Sequence, residues 1–204
     1  MSTTNTQLYT TKDLMNRFNQ EFKRAQKDAN YDVTAMSLAT IDKSQTPQIR
    51  IVLLKEAQDL GFVFFTNYLS QKGQDLKAHT HAALCFYWHH INVQIRVKGI
   101  CEEISSQESD AYFSIRPRGS QIGAHASKQS QPLVSRADLL NAYQSYESQF
   151  KDKQVPRPAH WGGYLLKPYL IEFWYAEESR LHQRYLYTKQ NNPNEHWQET
   201  LLNP

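Results

Sequence analysis

The chain switches between two hydrophobic periods. Over residues 11–28 the apolar positions recur at helical spacing, with Leu14, Phe18, Phe22 and Ala25 on one stripe, which predicts a helix. From Ala35 the period shortens. Stretches 36–42, 48–55 and 62–66 are rich in Val, Ile, Leu and Phe, and read as strands separated by turns at 42–47 and 56–61. Residues 70–78 read as a short helix. Stretches 82–89 and 91–104 read as two strands joined near His89 and His90. In the second, Val93, Ile95 and Val97 alternate with Gln94, Arg96 and Lys98, as on a half-exposed sheet.

Residues 106–115 read as a helix stopped by Pro117, which disfavours helical backbone at Arg116. Ser135 and Asp138 have the spacing of a capping box, opening a helix whose Leu139, Tyr143, Tyr146 and Phe150 share a face. A loop with Pro156 and Pro158 leads to strands at 163–166, 170–175, 182–188 and 196–202. This order predicts a mainly β chain with flanking helices, a closed or split β-barrel. It lacks the regular βα alternation of a doubly wound sheet. The organisation expected is an N-terminal helical segment, 1–30, followed by one domain, 31–204.

Composition narrows the class. With 40% hydrophobic and 12% aromatic residues in 204, the chain is too apolar for a disordered protein. The longest apolar run, 82–88, is far short of the roughly 20 residues of a membrane span. The first ten residues, MSTTNTQLYT, have no basic region followed by an apolar run, so no secretory signal is expected. Cys85 and Cys101 form no CxxC and read as reduced core thiols of a cytoplasmic protein. A net charge of +3 is too balanced to indicate nucleic acid, but leaves room for cations gathered around one anionic ligand.

Three polar groups stand out. Arg50 and Lys55 bracket a strand at an odd offset, so a regular strand sends them to opposite sides. They serve two anions, or one if the strand bends; solvated edge charges are the plain alternative. Tyr112, Arg116 and Ser120 are four apart, and a phenol, a guanidinium and a hydroxyl make a phosphate cradle, or else an ordinary surface loop. Arg180, His182 and Arg184 share one face of a period-two strand, facing an anion or an electron-rich ring, or solvent. Trp174 precedes them. The histidines lack the spacing of a zinc site, so no metal is expected. No GxGxxG, P-loop or G-x-S-x-G motif is present.

Taken in order, DVTAMSLATID (32–42), RIVLLK (50–55), FFTN (64–67), RPRGSQIGAHASKQS (116–130), WGGY (161–164), IEFW (171–174) and RLHQR (180–184) resemble the pyridoxamine 5′-phosphate oxidase family. The resemblance runs from about Leu14 to the C-terminus. It implies an FMN-binding split β-barrel that forms a homodimer, with FMN at the subunit interface. It implies FMN contacts from Arg50, Ile51, Phe65, Thr66, Gln71, Lys72, Gln94, Gln129, Ser130, Trp174 and Arg184. It implies a substrate-phosphate cradle of Lys55, Tyr112, Arg116 and Ser120, with Arg180 and His182 as catalytic groups over the pyridine ring. The implied reaction oxidises pyridoxamine 5′-phosphate or pyridoxine 5′-phosphate to pyridoxal 5′-phosphate and reduces O2 to H2O2, without nucleic acid or membrane as partner.

The sequence departs from the family pattern at four places. Gln71 stands where Arg is usual and Phe65 where Tyr is usual. The N-terminus lacks a basic stretch, and Leu201-Leu-Asn-Pro204 lacks the usual Arg. A non-catalytic FMN- or pyridoxal-phosphate-binding protein of the same fold is the alternative, distinguished by peroxide release. A single-stranded nucleic-acid binder is a third reading, disfavoured by the near-neutral charge.

Overall fold

The computed structural model describes residues 8–190 and 196–204. The first seven residues of the predicted N-terminal segment, and so most of the stretch read for a secretory signal, lie outside them. The elements run β1 (Leu8–Tyr9), α1 (Thr11–Gln26), β2 (Ala35–Ile41), β3 (Pro47–Leu53), β4 (Glu56–Gln58), β5 (Gly61–Asn67), α2 (Gln71–Ala78), β6 (His81–Trp88), β7 (Val93–Glu103), α3 (Ser106–Ser114), α4 (Arg118–Ala126), α5 (Arg136–Gln149), β8 (Trp161–Tyr175), β9 (Gln183–Lys189) and β10 (Trp197–Leu201).

Every strand pairing is antiparallel, in the order β1-β10-β9-β8-β7-β6-β2-β3, with β5 and β4 branching from β8. The end strands of this path do not pair, so the sheet is open, and of the closed and split alternatives the split one holds. Its branch point is β8. Trp161–Leu166 pairs with β5, whereas Leu170–Tyr175 pairs with β9. Both halves pair with β7 on the other side.

Two strands were expected where β8 is one. The interruption at Pro168, which has no N–H for a ladder, falls at a bulge: the β7–β8 register shifts between Lys98 and Gly99. Gly99 is needed there, because a Cβ would meet Leu166 Cδ2 and Lys167 O, both at 2.4 Å. Residues 56–61, expected as a turn, hold β4 and a tight hairpin into β5. Residues 118–126, read within a loop, form α4.

The helical stripe of α1 packs into the main hydrophobic core through Leu14, Met15, Phe18 and Ala25. Thr10 and Asp13 close its N-terminus as a capping box. Phe18 is fully buried and meets Phe62 edge-on at 4.8 Å and Phe86 at 5.0 Å. One residue before Phe18, the Arg17 guanidinium lies 4.4 Å from the Phe173 ring centre and 4.7 Å from that of Tyr185, and donates to the Tyr175 and Tyr187 hydroxyls. A second core, of Phe113, Ile122, Phe150, Val155 and Trp161, fastens α3, α4 and α5 to the start of β8. Cys101 is buried, which pushes its thiol up to about 12; Cys85 is only half-buried. No helix among the described residues is long and apolar enough to cross a membrane.

Candidate active site

A cavity of about 530 Å³ opens where β3, β5 and α3 end and α4 begins. The end of β3 forms one wall. After Leu53 the strand stops, Leu54 donates to Thr34 O and turns into the core, and Lys55 donates to Val63 O. Lys55 follows Ile51 and Leu53 at even spacing and lines the cavity with them. Arg50, on the opposite face of β3, is directed away. Its Nη1 donates to Thr40 Oγ1 (2.6 Å) and its Nη2 lies 3.4 Å from Asp75 Oδ2.

Phe65 and Thr66 line the cavity from β5, and Lys72 from α2. The Gln129 side-chain oxygen ties them together, accepting from Lys72 Nζ (3.3 Å) and Thr66 Oγ1 (3.4 Å). Tyr112, Arg116 and Ser120 form the other wall. Phe65 and Tyr112 stack with ring centres 3.9 Å apart, an arrangement that needs glycine at 163, where a Cβ would fall 2.9 Å from the Phe65 ring. Nine predicted residues therefore meet in this one cavity: Ile51, Lys55, Phe65, Thr66, Lys72, Tyr112, Arg116, Ser120 and Gln129.

The others lie elsewhere. Gln71 is exposed at the start of α2, where its Nε2 donates to Asp75 Oδ1 (2.8 Å). Ser130 follows Gln129 with a left-handed backbone, φ 69°. Gln94, Trp174 and Arg184 are direct neighbours across β7, β8 and β9, and the His182 ring sits 4.6 Å from that of Trp174. This second group does not line the cavity.

The expectation that Arg180, His182 and Arg184 share a strand face is corrected. β9 begins only at Gln183, and Arg180 lies in the tight turn Glu178–Arg180. Ser179 and Arg180 have φ of 55° and 62°, so the backbone is left-handed before the strand starts. In this turn the Glu177 N–H donates to His182 Nδ1 (3.2 Å). Nδ1 is thus an acceptor, and the neutral ring carries its proton on Nε2.

No ion pair compensates Lys72 or Arg116 among the described residues, whereas Arg50 has Asp75. Burial, together with the neighbouring Arg50, holds the Lys72 ammonium below the ordinary lysine value. Burial lowers Arg50 too, against the opposing pull of Asp75. Burial also lowers Arg116, and its Nη1 is buried without a hydrogen-bond partner. An anion in the cavity relieves Lys72 and Arg116, so these residues fit a ligand that carries phosphate. A larger cavity, about 790 Å³, lies between α3, α4, α5 and residues 151–157. Its arginines are already engaged, Arg118 with Phe150 O and Lys153 O and Arg157 with Asp110 and Trp161 O, so it has weaker claims as an anion site.

Sequence reasoning missed Asp75, Thr40 and Glu172. Asp75 is 1% exposed and holds Thr40, Gln71 and Arg50. Its signal was an acid one turn beyond Gln71 on an amphipathic helix. Glu172 alternates with Trp174 on β8, and its burial between two arginines needed the sheet order to be seen.

An open, branched antiparallel sheet with a cation-lined cavity at the end of β3 defines a split-barrel protein with a site for a phosphate-bearing ligand. Residues 22–147 match the family described as pyridoxamine 5′-phosphate oxidase, and residues 161–204 match a pyridoxine 5′-phosphate oxidase C-terminal dimerisation region. The chain belongs to the pyridoxamine 5′-phosphate oxidase family, whose cofactor is FMN. It is 45% identical over 192 residues to a pyridoxine/pyridoxamine 5′-phosphate oxidase of Myxococcus xanthus, covering 94% of this chain and 92% of that one. It is 47% identical over 173 residues to the enzyme of that name from Bartonella quintana, covering 85% and 84%. Among solved structures, PhzG from Burkholderia lata, in complex with tetrahydrophenazine-1-carboxylic acid, superposes with a TM-score of 0.85 at 28% identity, covering 94% of this chain and 91% of that one.

Proposed function

We infer that this chain oxidises pyridoxamine 5′-phosphate and pyridoxine 5′-phosphate to pyridoxal 5′-phosphate with FMN, as the names of its curated relatives indicate for those proteins. The observation that carries the reading is the cavity itself: Lys55, Tyr112, Arg116 and Ser120 line one space, with an unpartnered guanidinium nitrogen among them. These four would hold the substrate phosphate. Arg50, Lys72, Thr66, Gln129, Ser130 and Gln71 would hold the FMN phosphate end, with Ile51 and Phe65 beside the ring system. FMN, when bound, supplies the two-electron acceptor for the substrate C4′ carbon and passes the electrons to O2, giving H2O2.

The protein's own work is placement. Two separate phosphate anchors fix two flat ligands against each other, which converts an encounter into an oriented pair. The His182 Nε2–H would hydrogen-bond to the oxygen or nitrogen on C4′ and orient it, the proton which that substituent sheds on oxidation passing to solvent, and Arg180 is presented beside it by the left-handed turn. Gln94, Trp174, Arg184, Arg180 and His182 lie outside the cavity of their own chain. In this reading they serve the cavity of a second copy, each FMN being shared in a homodimer. The C-terminal dimerisation match and the exposed apolar residues Ile49, Ile51 and Leu53 on β3 support that assembly.

We assign residues 31–204 as the FMN-binding domain and 1–30 as its N-terminal helical segment, in a cytoplasmic protein. The test is flavin content and peroxide release. Purified protein reconstituted with FMN should release H2O2 on addition of pyridoxamine 5′-phosphate. Bound FMN without peroxide would favour the non-catalytic binder instead.

A further inference from the structure

We propose that Trp161 is a positioning residue of the substrate-phosphate site, holding Arg116 in place by its ring face. The inference rests on the reading of Lys55, Tyr112, Arg116 and Ser120 as the phosphate cradle. The Arg116 Cζ lies 4.4 Å from the centre of the Trp161 ring and 5.5 Å from that of Phe113. Among the described residues no carboxylate pairs with this guanidinium, and its Nη1 is buried without a partner. An arginine is usually aimed by a carboxylate, which also neutralises it. An aromatic face orients a guanidinium without taking up its hydrogen-bond donors or cancelling its charge. Both remain free for an incoming phosphate.

Trp161 is itself fixed. It is 6% exposed, its N–H donates to Pro158 O (3.0 Å), and its carbonyl accepts from Arg157 Nη1 (2.6 Å). Its ring is parallel to that of Phe65 within 11° at 5.3 Å, and Phe65 in turn stacks on Tyr112. One indole therefore supports two members of the cradle, Arg116 directly and Tyr112 through Phe65. Its place at the first residue of β8 ties the cradle to the sheet.

The experiment measures binding of pyridoxal 5′-phosphate and of unphosphorylated pyridoxal to FMN-loaded protein by calorimetry, with KM and kcat measured alongside. The proteins are the parent, Trp161→Leu, Trp161→Phe, Arg116→Ala and the Trp161→Leu/Arg116→Ala pair. Loss of the ring face should weaken pyridoxal 5′-phosphate binding about 5- to 30-fold, the range of a partly desolvated cation–π contact. Pyridoxal binding and flavin content should stay at parent values, KM should rise more than kcat falls, and Trp161→Phe should be intermediate. With Arg116 already removed, Trp161→Leu should cost less than it does alone, what remains being its support of Tyr112 through Phe65. Additive losses, equal losses for both ligands, or unchanged phosphate affinity would overturn the proposal. If Trp161→Leu does not fold, Trp161→Phe carries the same comparison. A parent that binds pyridoxal as tightly as its phosphate would refute the cradle reading, and the proposal with it.

Discussion

Arg184 donates to a single oxygen of Glu172 twice, through Nε at 2.8 Å and Nη2 at 2.7 Å, and the carboxylate is 3% exposed. The other Glu172 oxygen accepts from Arg96 Nη1 at 3.1 Å, and Arg184 Nη1 reaches Asn203 O at 3.1 Å. Arg184 is thereby immobilised between β8 and the C-terminus. Glu172→Ala should cost about 1–3 kcal/mol in urea unfolding, since it leaves a partly buried guanidinium without its acceptor. Arg96→Ala should cost under about 1 kcal/mol, because that side chain is 45% exposed. Equal losses would mean that Arg96, not Arg184, is the partner that matters.

Lys72 supplies a pH dependence. Its folded-state pKa is lowered by burial and by Arg50. Between that lowered value and the ordinary lysine value, the unfolded chain keeps a proton that the ligand-free fold has shed. Stability of the ligand-free protein therefore rises with pH across this window. A bound phosphate restores the proton, so FMN affinity should fall over the same window, just below the ordinary lysine range. Lys72→Gln should remove the slope and weaken FMN about tenfold at neutral pH. Fluorescence titration of FMN-free protein against pH checks both.

Gln71→Arg should tighten FMN. Gln71 is exposed and is held by Asp75, which already compensates Arg50. A second cation there would be screened by solvent, so the gain should be roughly 2- to 10-fold rather than the full value of a charged hydrogen bond. Unchanged or weaker binding in the same titration would mean that the site does not lack that charge.

Arg180→Ala and His182→Ala should leave FMN bound and lower kcat/KM by roughly 10- to 150-fold, the worth of one charged hydrogen bond. Lys55→Ala should act mainly on KM. Flavin content and steady-state kinetics on the same preparations separate the two. Loss of flavin from the Arg180 or His182 variant would assign that turn to the cofactor.

The helix of α1, the strands around β2, β3, β6 and β7, and the Ser135 cap were legible because each rests on a local period or a local hydrogen bond. The Asp138 N–H does donate to Ser135 Oγ, at 3.1 Å. What was illegible depends on neighbours. Pro168 reads as a strand end, yet a bulge opposite Gly99 carries β8 through it. Two glycines, Gly119 and Gly123, hid α4, whose stability comes from burying Gln121 and Ile122. Period two extended Arg184 back to Arg180 across a turn that only its left-handed φ values reveal. The opposite facing of Arg50 and Lys55 was legible from their odd offset: Lys55 lines the cavity, and Arg50 turns to Thr40 and Asp75.

The most direct test is an anaerobic mix of FMN-loaded protein with pyridoxamine 5′-phosphate, followed in the visible flavin band. The account predicts that the band bleaches, and that admitting O2 restores it with one H2O2 for each pyridoxal 5′-phosphate formed. A flavin band unchanged by pyridoxamine 5′-phosphate and by pyridoxine 5′-phosphate, in protein with full FMN content, would contradict it.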